Sequence, residues 1–287
     1  MKKSLAFLMS IVMLLSLSLC AYAESAFTPG TYTSTGDGLL MATADGINAD
    51  TRLLEYGKRY PNGIEVSKGI AKSTINGNIP AWTKSAILVN QDGVRVVNEK
   101  ASNRTILESE LQQPGQMLYL VMDQETFDVW QAAVGYSVDS YLEANGSSTP
   151  IFAHGATLAE AAEAAGIDAD ALAETVETYN GYVEAGEDKD FGRSPDYMTM
   201  AIGDGPFYIV EQKPRFATTM GGLVIDEALE VLNTDGEIIP GLYASGEVVG
   251  GVMGDDSPSG ANNGWAVTSG RLAAESIAEA LALEAAA

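Results

Sequence analysis

Short apolar segments alternate with polar turns along this chain and predict a set of buried strands. Residues 118–122 (LYLVM) form a continuous apolar run, which is typical of a strand buried on both faces. Residues 86–89 and 94–97 flank an Asp-Gly step, and such a step between apolar runs predicts a β-hairpin. The remaining predicted strands are residues 207–210 and 219–226, a hairpin around 231–236, and residues 241–244.

Capping patterns predict where helices begin and end. Thr157 and Glu160 form a capping box that opens an alanine-rich helix, and Gly166 ends that helix. Asp168 is the expected N-cap of a following helix over residues 169–184. Two further helices are predicted, one over residues 39–49 behind Thr35 or Asp37, and one from about Gly264.

The first 23 residues have the pattern of a secretory signal peptide. Two lysines precede an apolar stretch at residues 5–19, and residues 21–23 (AYA) fit an A-x-A cleavage site. The apolar stretch is too short to favour a membrane span, so we expect a bacterial exported protein, periplasmic or extracellular, with no stable span in the mature chain. A lipoprotein cysteine at Cys20 is the alternative, although Leu19 before it is large for such a site.

Composition narrows the range of partners. The 287 residues are 46% hydrophobic and 19% charged, which is enough apolar content for a sizeable core. Cleavage after Ala23 would remove two of the 16 basic residues and none of the 39 acidic ones, leaving a net charge of −25. This acidity argues against nucleic acid or anionic lipid as a partner. Cleavage also removes the only cysteine, and with His154 as the sole histidine no metal site is predicted.

The C-terminal part of the chain has the pattern of a ligand-binding turn. The strand at residues 241–244 leads into a Ser-Gly-Glu step, a glycine-rich loop and a helix. Glycine lets the backbone approach a ligand closely, and a helix N-terminus attracts negative charge. The pattern therefore suits a cofactor with a hydroxylated, partly anionic body.

This segment resembles the C-terminal FAD-binding segment of the fumarate reductase/succinate dehydrogenase flavoprotein family, in which G-L-Y-A-A-G-E precedes a Gly-Gly loop and a helix. Residues 34–42 (STGDGLLMA) are similar to that family's helix start near the flavin, and residues 157–193 are similar to its capping domain. The resemblance implies FAD as the cofactor. It also implies an α/β fold, in which a partial FAD-binding (Rossmann-like) domain carries an inserted α+β capping domain.

The resemblance further implies domain boundaries and cofactor contacts. A short lead at residues 24–34 follows the signal peptide, the incomplete FAD-binding domain covers residues 35–59 and 215–287, and the capping domain covers residues 60–214. The implied FAD contacts are Thr35, Gly36, Asp37, Gly246, Glu247, Gly250, Gly251, Ser259 and Gly260.

One half of a dinucleotide site has no counterpart in the sequence. Flavoproteins of this kind bind the ADP portion with a G-x-G-x-x-G motif between a strand and a helix. No such motif lies near the N-terminus, and the glycines at residues 250–254 lack that context. A βαβ unit needs about 30 or more residues, whereas Thr33 is followed directly by Ser34 and the helix start. We therefore expect a shortened family member with weakened pyrophosphate contacts.

For catalysis the resemblance implies flavin hydride transfer to an unsaturated bond, with an arginine donating the proton. The family's arginine closely follows an Asn-Glu pair, and Arg104 follows residues 98–99 one position later than that pattern. An ordinary ion-pair arginine is the alternative reading of Arg104. Tyr60 stands where the family has a histidine, so it is a candidate proton donor or a packing residue. Arg215 is a further candidate, and His154 is expected to be an exposed loop residue.

The substrate-binding positions depart from the fumarate-reducing pattern. Residues 217–218 are Ala-Thr where the family has two histidines, and Ser257 replaces its carboxylate-binding arginine. Asp255 and Asp256 lie beside Ser257 and would repel a dicarboxylate. We therefore expect an unsaturated small molecule other than a dicarboxylate as the substrate.

Two hypotheses of different classes follow. The first is an exported FAD-dependent oxidoreductase acting on CH–CH bonds, in shortened form. It would take electrons from a separate donor protein, because the chain has no C-x-x-C-H haem motif. The second is a catalytically inactive secreted remnant that acts at most as a binding module. Periplasmic solute binding is a third idea, but it leaves the glycine-rich C-terminal segment unexplained.

Overall fold

The computed structural model describes residues 35–67, 70–135, 152–254, 256–258 and 260–286. The predicted signal peptide and lead lie outside these residues, as do Asp255 and Ser259. The chain divides into two compact units. The first is Arg59–Phe216, and the second joins the segment that ends at Lys58 to Ala217–Ala287. Within the described ranges, no helix is both long and apolar enough to cross a membrane.

Strands and helices alternate through the described residues. In chain order the helices are α1 (Asp37–Ala42), α2 (Ile75–Thr83), α3 (Asn103–Leu111), α4 (Gln124–Val134), α5 (Leu158–Ala165), α6 (Ala169–Ala185) and α7 (Ala261–Ala286). The strands are β1 (Thr51–Arg52), β2 (Gly57–Ser67), β3 (Ile70–Ser73), β4 (Ile87–Val89), β5 (Leu118–Asp123), β6 (Phe152–Gly155), β7 (Phe207–Thr219), β8 (Gly222–Leu223), β9 (Glu230–Leu232) and β10 (Ile238–Tyr243). Short 3₁₀ turns cover Pro114–Gln116, Pro195–Tyr197 and Gly246–Val248.

The first unit is built around one sheet, whose strand order is β3-β2-β7-β5-β4 with β6 also paired to β7. β5 runs antiparallel to β7, starting with Leu118 opposite Gln212. β6 pairs antiparallel with the same part of β7, starting with Phe152 opposite Val210. β7 therefore connects the strands on both of its sides.

β5 is buried on both faces, which confirms the prediction from its continuous apolar run. Leu118, Leu120 and Met122 belong to one core cluster, whereas Tyr119 and Val121 belong to another. Successive side chains of a strand point to opposite faces. This single run therefore supplies apolar side chains to both sides of the sheet.

Helices pack against each of these two clusters. α5 and α6 contribute Ala161, Leu172 and Tyr179 to the cluster that contains Tyr119. α2 and α4 contribute Trp82 and Phe127 to the cluster that contains Leu118. Burial of this apolar surface is the main favourable contribution to the stability of the unit.

The predicted capping patterns of α5 and α6 are confirmed. Thr157 and Glu160 make both hydrogen bonds of the capping box, and Gly166 ends α5 with a φ of 72°. The Asp168 carboxylate accepts a hydrogen bond from the Ala171 N–H at 3.0 Å and so caps α6. Local side chain to backbone bonds determine these helix ends, which is why the sequence located them correctly.

The hairpin predicted over residues 86–97 is only half right. β4 covers its first arm, and the Asn90 carbonyl accepts a turn bond from the Gly93 N–H at 3.1 Å. The second arm is not a strand, since only an isolated bridge joins Val89 to Arg95. β4 pairs instead with β5, and Arg95 turns inward to a buried carboxylate.

Two other boundaries differ from the predictions. The helix expected over residues 39–49 ends at Ala42, and Gly46 beyond it has a φ of 94°, outside the helical range. The strand expected over residues 219–226 is divided, because β7 continues to Thr219 and the short β8 pairs separately with β1. The pairing of β8 with β1 decided the second of these boundaries.

The second unit has smaller elements around its own core. β1 pairs with β8, and β9 with β10, both antiparallel; the second pair confirms the hairpin predicted around residues 231–236. Ala49, Leu223, Val231 and Val249 form the centre of the core, and Trp265 of the long helix α7 packs against it.

Two arginines and two acids form a buried charge network in the first unit. Glu99 accepts hydrogen bonds from Arg95 at 3.0 and 2.9 Å and from Arg193 at 3.0 Å. Arg95 also pairs with Asp188 at 3.0 Å. The four side chains are at most 4% exposed, so water and salt screen these ion pairs only weakly.

This network also joins segments that are distant in sequence. The Glu99 carboxylate accepts the Leu88 N–H of β4 at 3.0 Å. Arg193 donates to the Ala86 carbonyl at 2.9 Å and to the Trp82 carbonyl at the end of α2. One carboxylate and one guanidinium therefore fix α2, β4 and the segment after α6 to each other.

The network shifts the pKa values of Arg95 and Asp188 so that both favour their charged forms. Burial alone would lower the pKa of Arg95, but Glu99 and Asp188 raise it above its ordinary value. Burial opposes ionisation of Asp188, yet the hydrogen bonds from Arg95 hold the pKa of that carboxyl below its ordinary value. The contribution of Asp188 to stability is therefore present above its unfolded-state pKa and is lost as the pH falls through its folded-state pKa.

Replacing Glu99 by Gln should destabilise the protein strongly, because Arg95 and Arg193 would lose their shared carboxylate. Removing one partner of a buried ion pair costs about 3–5 kcal/mol, and we expect a loss of this size in the free energy of unfolding measured with urea. The control is Glu108→Gln, which removes an exposed partner of Arg104 and should change stability by less than about 0.5 kcal/mol. Equal stability of the two variants would contradict a structural role of Glu99.

Glu110 on α3 is buried without a partner. It is fully buried, and neither carboxylate oxygen has a hydrogen-bond partner within the described residues. Burial raises the pKa of Glu110 well above its ordinary value, against a smaller opposing effect of Arg59. The unfolded chain releases this proton at lower pH than the folded chain, so Glu110 makes stability fall as the pH rises above the unfolded-state pKa.

Replacing Glu110 by Met should therefore stabilise the protein at pH 7, because an apolar side chain of similar length has no charge to bury. A buried unsatisfied polar group costs about 1–3 kcal/mol, and we expect a gain up to this size in urea denaturation. The gain should shrink at pH 4, where the carboxyl is protonated in both states. Glu163→Met on the exposed face of α5 is the control, and a gain independent of pH would contradict the assignment.

Candidate functional site

A cavity of about 310 Å³ lies within the second unit. Its walls come from the end of β7, the 3₁₀ turn Gly246–Val248 and the start of α7. Pockets for small molecules usually measure about 300–1,000 Å³, so the cavity suits a small ligand or one part of a larger cofactor. Among its lining residues are Thr218, Thr219, Met220, Gly246, Glu247, Asn262, Asn263 and Trp265.

Helix α7 holds Gly246 in place at the cavity wall. The Gly246 N–H donates to Ser269 Oγ at 2.9 Å, and the Gly246 carbonyl accepts from Trp265 Nε1 at 3.1 Å. Ser269 Oγ in turn donates to the Trp265 carbonyl at 2.7 Å. Gly246 has a φ of 72°, which a residue with a Cβ adopts only with strain. The turn that carries Glu247 is therefore fixed against the helix.

Glu247 is exposed at this cavity and accepts a hydrogen bond from Thr218 Oγ1. Thr218 is the position at which the fumarate-reducing pattern has a histidine. A carboxylate accepts hydrogen bonds, and the threonine hydroxyl that donates to it still has lone pairs for a donor on a ligand. The pair can therefore bind the hydroxyl or N–H groups of a bound molecule.

The N-terminus of α7 also faces the cavity. Asn262 and Asn263 in its first turn line the wall. Gly260 lies directly before the helix with a φ of 82°, and its carbonyl accepts the Gly264 N–H at 3.1 Å. Ser259, predicted as a neighbouring FAD contact, lies outside the described residues. The positive end of the helix dipole favours an acceptor or anionic group here.

Gly250 and Gly251 shape the loop beside the cavity and do not line it. The Gly250 N–H donates to the Leu223 carbonyl at 3.0 Å, and the Gly251 N–H to the Met220 carbonyl at 3.1 Å. A Cβ on Gly250 would lie 2.4 Å from the backbone nitrogen of Gly222, so only glycine allows this close approach. Direct FAD contact by these two glycines stays a prediction.

Thr35, Gly36 and Asp37 form the exposed start of α1. Thr35 Oγ1 donates to Asp37 Oδ1 at 2.7 Å, and Gly36 is the N-cap with a φ of 78°. A Cβ on Gly38, the next residue, would lie 3.4 Å from Val248 Cγ2. α1 therefore begins beside the same 3₁₀ turn that carries Glu247, and the FAD contacts predicted for its first residues stay predictions.

The acidic step before α7 is partly neutralised. Lys58 donates to the Asp256 carboxylate and to the Ser257 carbonyl. Ser257 is buried, and its backbone N–H donates a hydrogen bond to Asp256 Oδ1 at 2.7 Å. The repulsion of a dicarboxylate that the sequence predicts for Asp256 is therefore reduced by the lysine. Across the described ranges, no group of three His, Cys, Asp or Glu side chains is placed to hold a metal ion.

The predicted catalytic residues belong to the first unit. Arg104 lies in the first turn of α3 with a side chain that is 69% exposed, and its Nε donates to Glu108 at 3.1 Å. Tyr60 on β2 is half-buried, and the guanidinium of Arg215 lies over its ring at 4.6 Å. Their catalytic roles stay predictions. His154 is exposed as expected, but it lies on strand β6 and not in a loop.

Sequence reasoning missed the side chains that hold the cavity wall. Trp265 and Ser269 fix Gly246, but the sequence interpretation assigned them no role. They are four residues apart, so they lie on the same face of α7. The sequence signal for this role is a serine one helical turn after a tryptophan, in the helix that follows the glycine-rich loop.

The cavity fits part of a flavin dinucleotide. Its glycine turn, its acceptor Glu247 and the N-terminus of α7 suit a flat, hydroxylated body with acceptor atoms. None of its lining residues, all of them described, is a lysine or arginine that would pair with a pyrophosphate. The lining of this cavity therefore suits an uncharged part of the cofactor better than its pyrophosphate.

Comparison with known proteins identifies the family of this chain. Residues 17–263 match the sequence model of the FAD binding domain family. The chain is 35% identical over 246 residues to a fumarate reductase (cytochrome) of Shewanella frigidimarina, covering 85% of this chain and 39% of that protein. It is 35% identical over 222 residues to a urocanate reductase of Eggerthella lenta, covering 77% of this chain and 35% of that protein.

A solved structure shows the same fold. The open conformation of a flavocytochrome c3 fumarate reductase superposes with a TM-score of 0.70 and 29% sequence identity, covering 90% of this chain and 42% of that one. The chain spans less than half the length of these relatives. It belongs to the FAD-binding flavoprotein family that includes the fumarate reductases and succinate dehydrogenases, and its cofactor is FAD.

Proposed function

We propose that this protein is an exported FAD-dependent oxidoreductase that reduces a carbon–carbon double bond in a small molecule other than a dicarboxylate. The observation that carries the proposal is the cavity at the start of α7, where Glu247, Thr218 and Gly246 combine acceptor groups with a glycine turn. Relatives named as reductases of fumarate and of urocanate support this reaction class, because both compounds contain such a bond.

FAD, when bound and reduced, would supply the hydride of such a reduction, which carries both electrons. The residues of this chain that would hold it are Glu247, whose carboxylate accepts hydrogen bonds, and the first turn of α7, whose dipole favours an acceptor atom. Trp265 and Ser269 keep Gly246 in its left-handed conformation, so the cavity wall is formed before the cofactor arrives. Preorganisation of this kind reduces the ordering cost of binding.

Several side chains favour a substrate other than a dicarboxylate. Ser257 stands in place of an arginine, is buried and has its carbonyl bonded to Lys58. Thr218 stands in place of a histidine and bonds to Glu247. The two positions that the fumarate-reducing pattern uses for carboxylates therefore hold neutral hydroxyl side chains.

Arg104 is the proposed proton donor, and Tyr60 is the alternative. Arg104 is held by Glu108 and is reachable from solvent, while Tyr60 is half-buried below Arg215. The electrons would come from a separate donor protein. Export rests on the sequence of residues 1–23, and the shortened form rests on the missing G-x-G-x-x-G motif.

Uptake of FAD by the purified chain tests the proposal directly. We expect the chain to elute from gel filtration as a compact species that carries a structured flavin absorption band after incubation with FAD. Colourless protein after this treatment would overturn the oxidoreductase function and would favour an inactive binding module.

Filling the cavity should abolish this uptake. Ala266 lines the cavity on α7, so Ala266→Phe places a ring where the flavin would lie. We expect FAD to bind at least tenfold more weakly, measured by quenching of flavin fluorescence. The matched control is Ala274→Phe, an exposed position two turns further along the same helix. Equal FAD affinity of the two variants would show that the cofactor binds elsewhere.

Two substitutions distinguish the role of the Arg104 guanidinium from that of its ion pair with Glu108. Loss of a general acid usually lowers kcat about 10²–10⁴-fold, and we expect such a loss for Arg104→Gln in the reduction of a double-bond substrate. Glu108→Gln breaks the same ion pair but keeps the arginine, and it should change kcat less than twofold. Full activity of Arg104→Gln together with a loss in Tyr60→Phe would assign the proton to Tyr60.

A further inference from the structure

Arg215 on β7 is a half-buried cation without a carboxylate partner. Its Nε donates to Asn62 Oδ1 at 2.9 Å, and its guanidinium lies 4.6 Å from the centre of the Tyr60 ring. Within the described part of the first unit, no ion pair involves Arg215, and no hydrogen bond from its two terminal nitrogens is found. All three residues belong to this one unit.

The buried cations of the same unit are compensated. Lys213, two residues earlier on β7, contacts Glu65 and Glu211, each at 3.1 Å. Arg95 and Arg193 share Glu99, as described above. A cation taken partly out of water without an opposite charge is costly, and burial lowers the pKa of Arg215 while Tyr60 has a smaller opposing effect. Arg215 therefore differs from these buried cations, because it has no carboxylate partner within the described part of its unit.

Asn62 adds a donor beside Arg215. It is fully buried, and its Oδ1 accepts from Arg215 at 2.9 Å and from Ser73 Oγ at 3.4 Å, whereas its Nδ2 has no hydrogen-bond partner within the described residues. Gly63 lets β2 come close to β7 here, since a Cβ on it would lie 2.9 Å from the Lys213 carbonyl and 3.0 Å from Arg215 Cβ. The backbone is therefore adapted to place this arginine.

The geometry leaves the end of the guanidinium available. Asn62 accepts from Nε, and the guanidinium lies over the Tyr60 ring at 4.6 Å, a cation–π contact that holds the group at this place. The two terminal nitrogens then present parallel N–H donors, which match the two oxygens of a carboxylate. We infer that Arg215 binds the single carboxylate of an unsaturated monocarboxylate substrate and so determines specificity.

This inference rests on the proposed function, because it takes the anion to be that of the substrate. The phosphates of FAD are the other source of an anion, and the experiment separates the two. It uses crotonate as the carboxylate probe and crotonamide as its neutral counterpart, titrated calorimetrically into the full chain with and without FAD. Binding is thus measured independently of any turnover.

We expect Arg215→Gln to weaken crotonate binding roughly tenfold to hundredfold, the value of one charge-assisted contact, and to leave crotonamide binding unchanged. Arg215→Lys keeps the charge but loses the paired donors, so it should give an intermediate loss. Arg271→Gln removes an exposed arginine of α7 and is the control for net charge. Circular dichroism melts confirm that each variant is folded.

Unchanged crotonate affinity in folded Arg215→Gln overturns the inference, as does an equal loss for crotonate and crotonamide. Absence of crotonate binding to the unmodified chain overturns it as well. Loss of FAD affinity with unchanged crotonate affinity would assign the arginine to the cofactor phosphates instead.

The two hypotheses can fail separately. If the chain binds FAD but Arg215→Gln changes no affinity, the proposed function stands and only this inference is wrong. If crotonate binding depends on Arg215 but the chain takes up no FAD, the carboxylate site stands and the proposed reductase function is wrong.

Discussion

The first unit depends on one shared carboxylate. Glu99 accepts hydrogen bonds from two buried arginines and from the Leu88 N–H of β4, so a single side chain determines where three segments meet. Buried ion pairs add little stability when complete, but an incomplete one is very costly. The sheet and helices around this point are therefore restricted to one arrangement, in which Arg193 also satisfies the carbonyls at the end of α2 and before β4.

The second unit is organised differently, through backbone contacts that only glycine allows. Gly222 and Gly250 approach each other too closely for any side chain, and Gly246 is held in a left-handed turn by Trp265 and Ser269. These constraints fix the wall of a cavity before any ligand is present. A preformed wall with few charged groups is suited to a flat cofactor body, which agrees with the family to which the chain belongs.

Charge compensation distinguishes Arg215 from the buried cations of the first unit. Arg95, Arg193 and Lys213 are buried with carboxylates and hold the fold together. Arg215 is half-buried with an amide and an aromatic ring as its partners, which we interpret as preparation for an external anion. Glu110 is also uncompensated, but it does not line the cavity described above, and its raised pKa lowers stability at neutral pH.

The sequence by itself determined features that depend on local chemistry. The caps of α5 and α6 and the strand β5 follow from nearest-neighbour bonds and apolar runs, and FAD followed from the resemblance of the glycine-rich segment. Tertiary structure decided what depends on distant partners. It placed Arg95 in a buried network where a hairpin arm was predicted, divided the strand at residues 219–226, and paired Asp256 with Lys58. No periodicity in a single chain reveals these contacts, because each joins residues whose separation in sequence carries no signal of their approach in space.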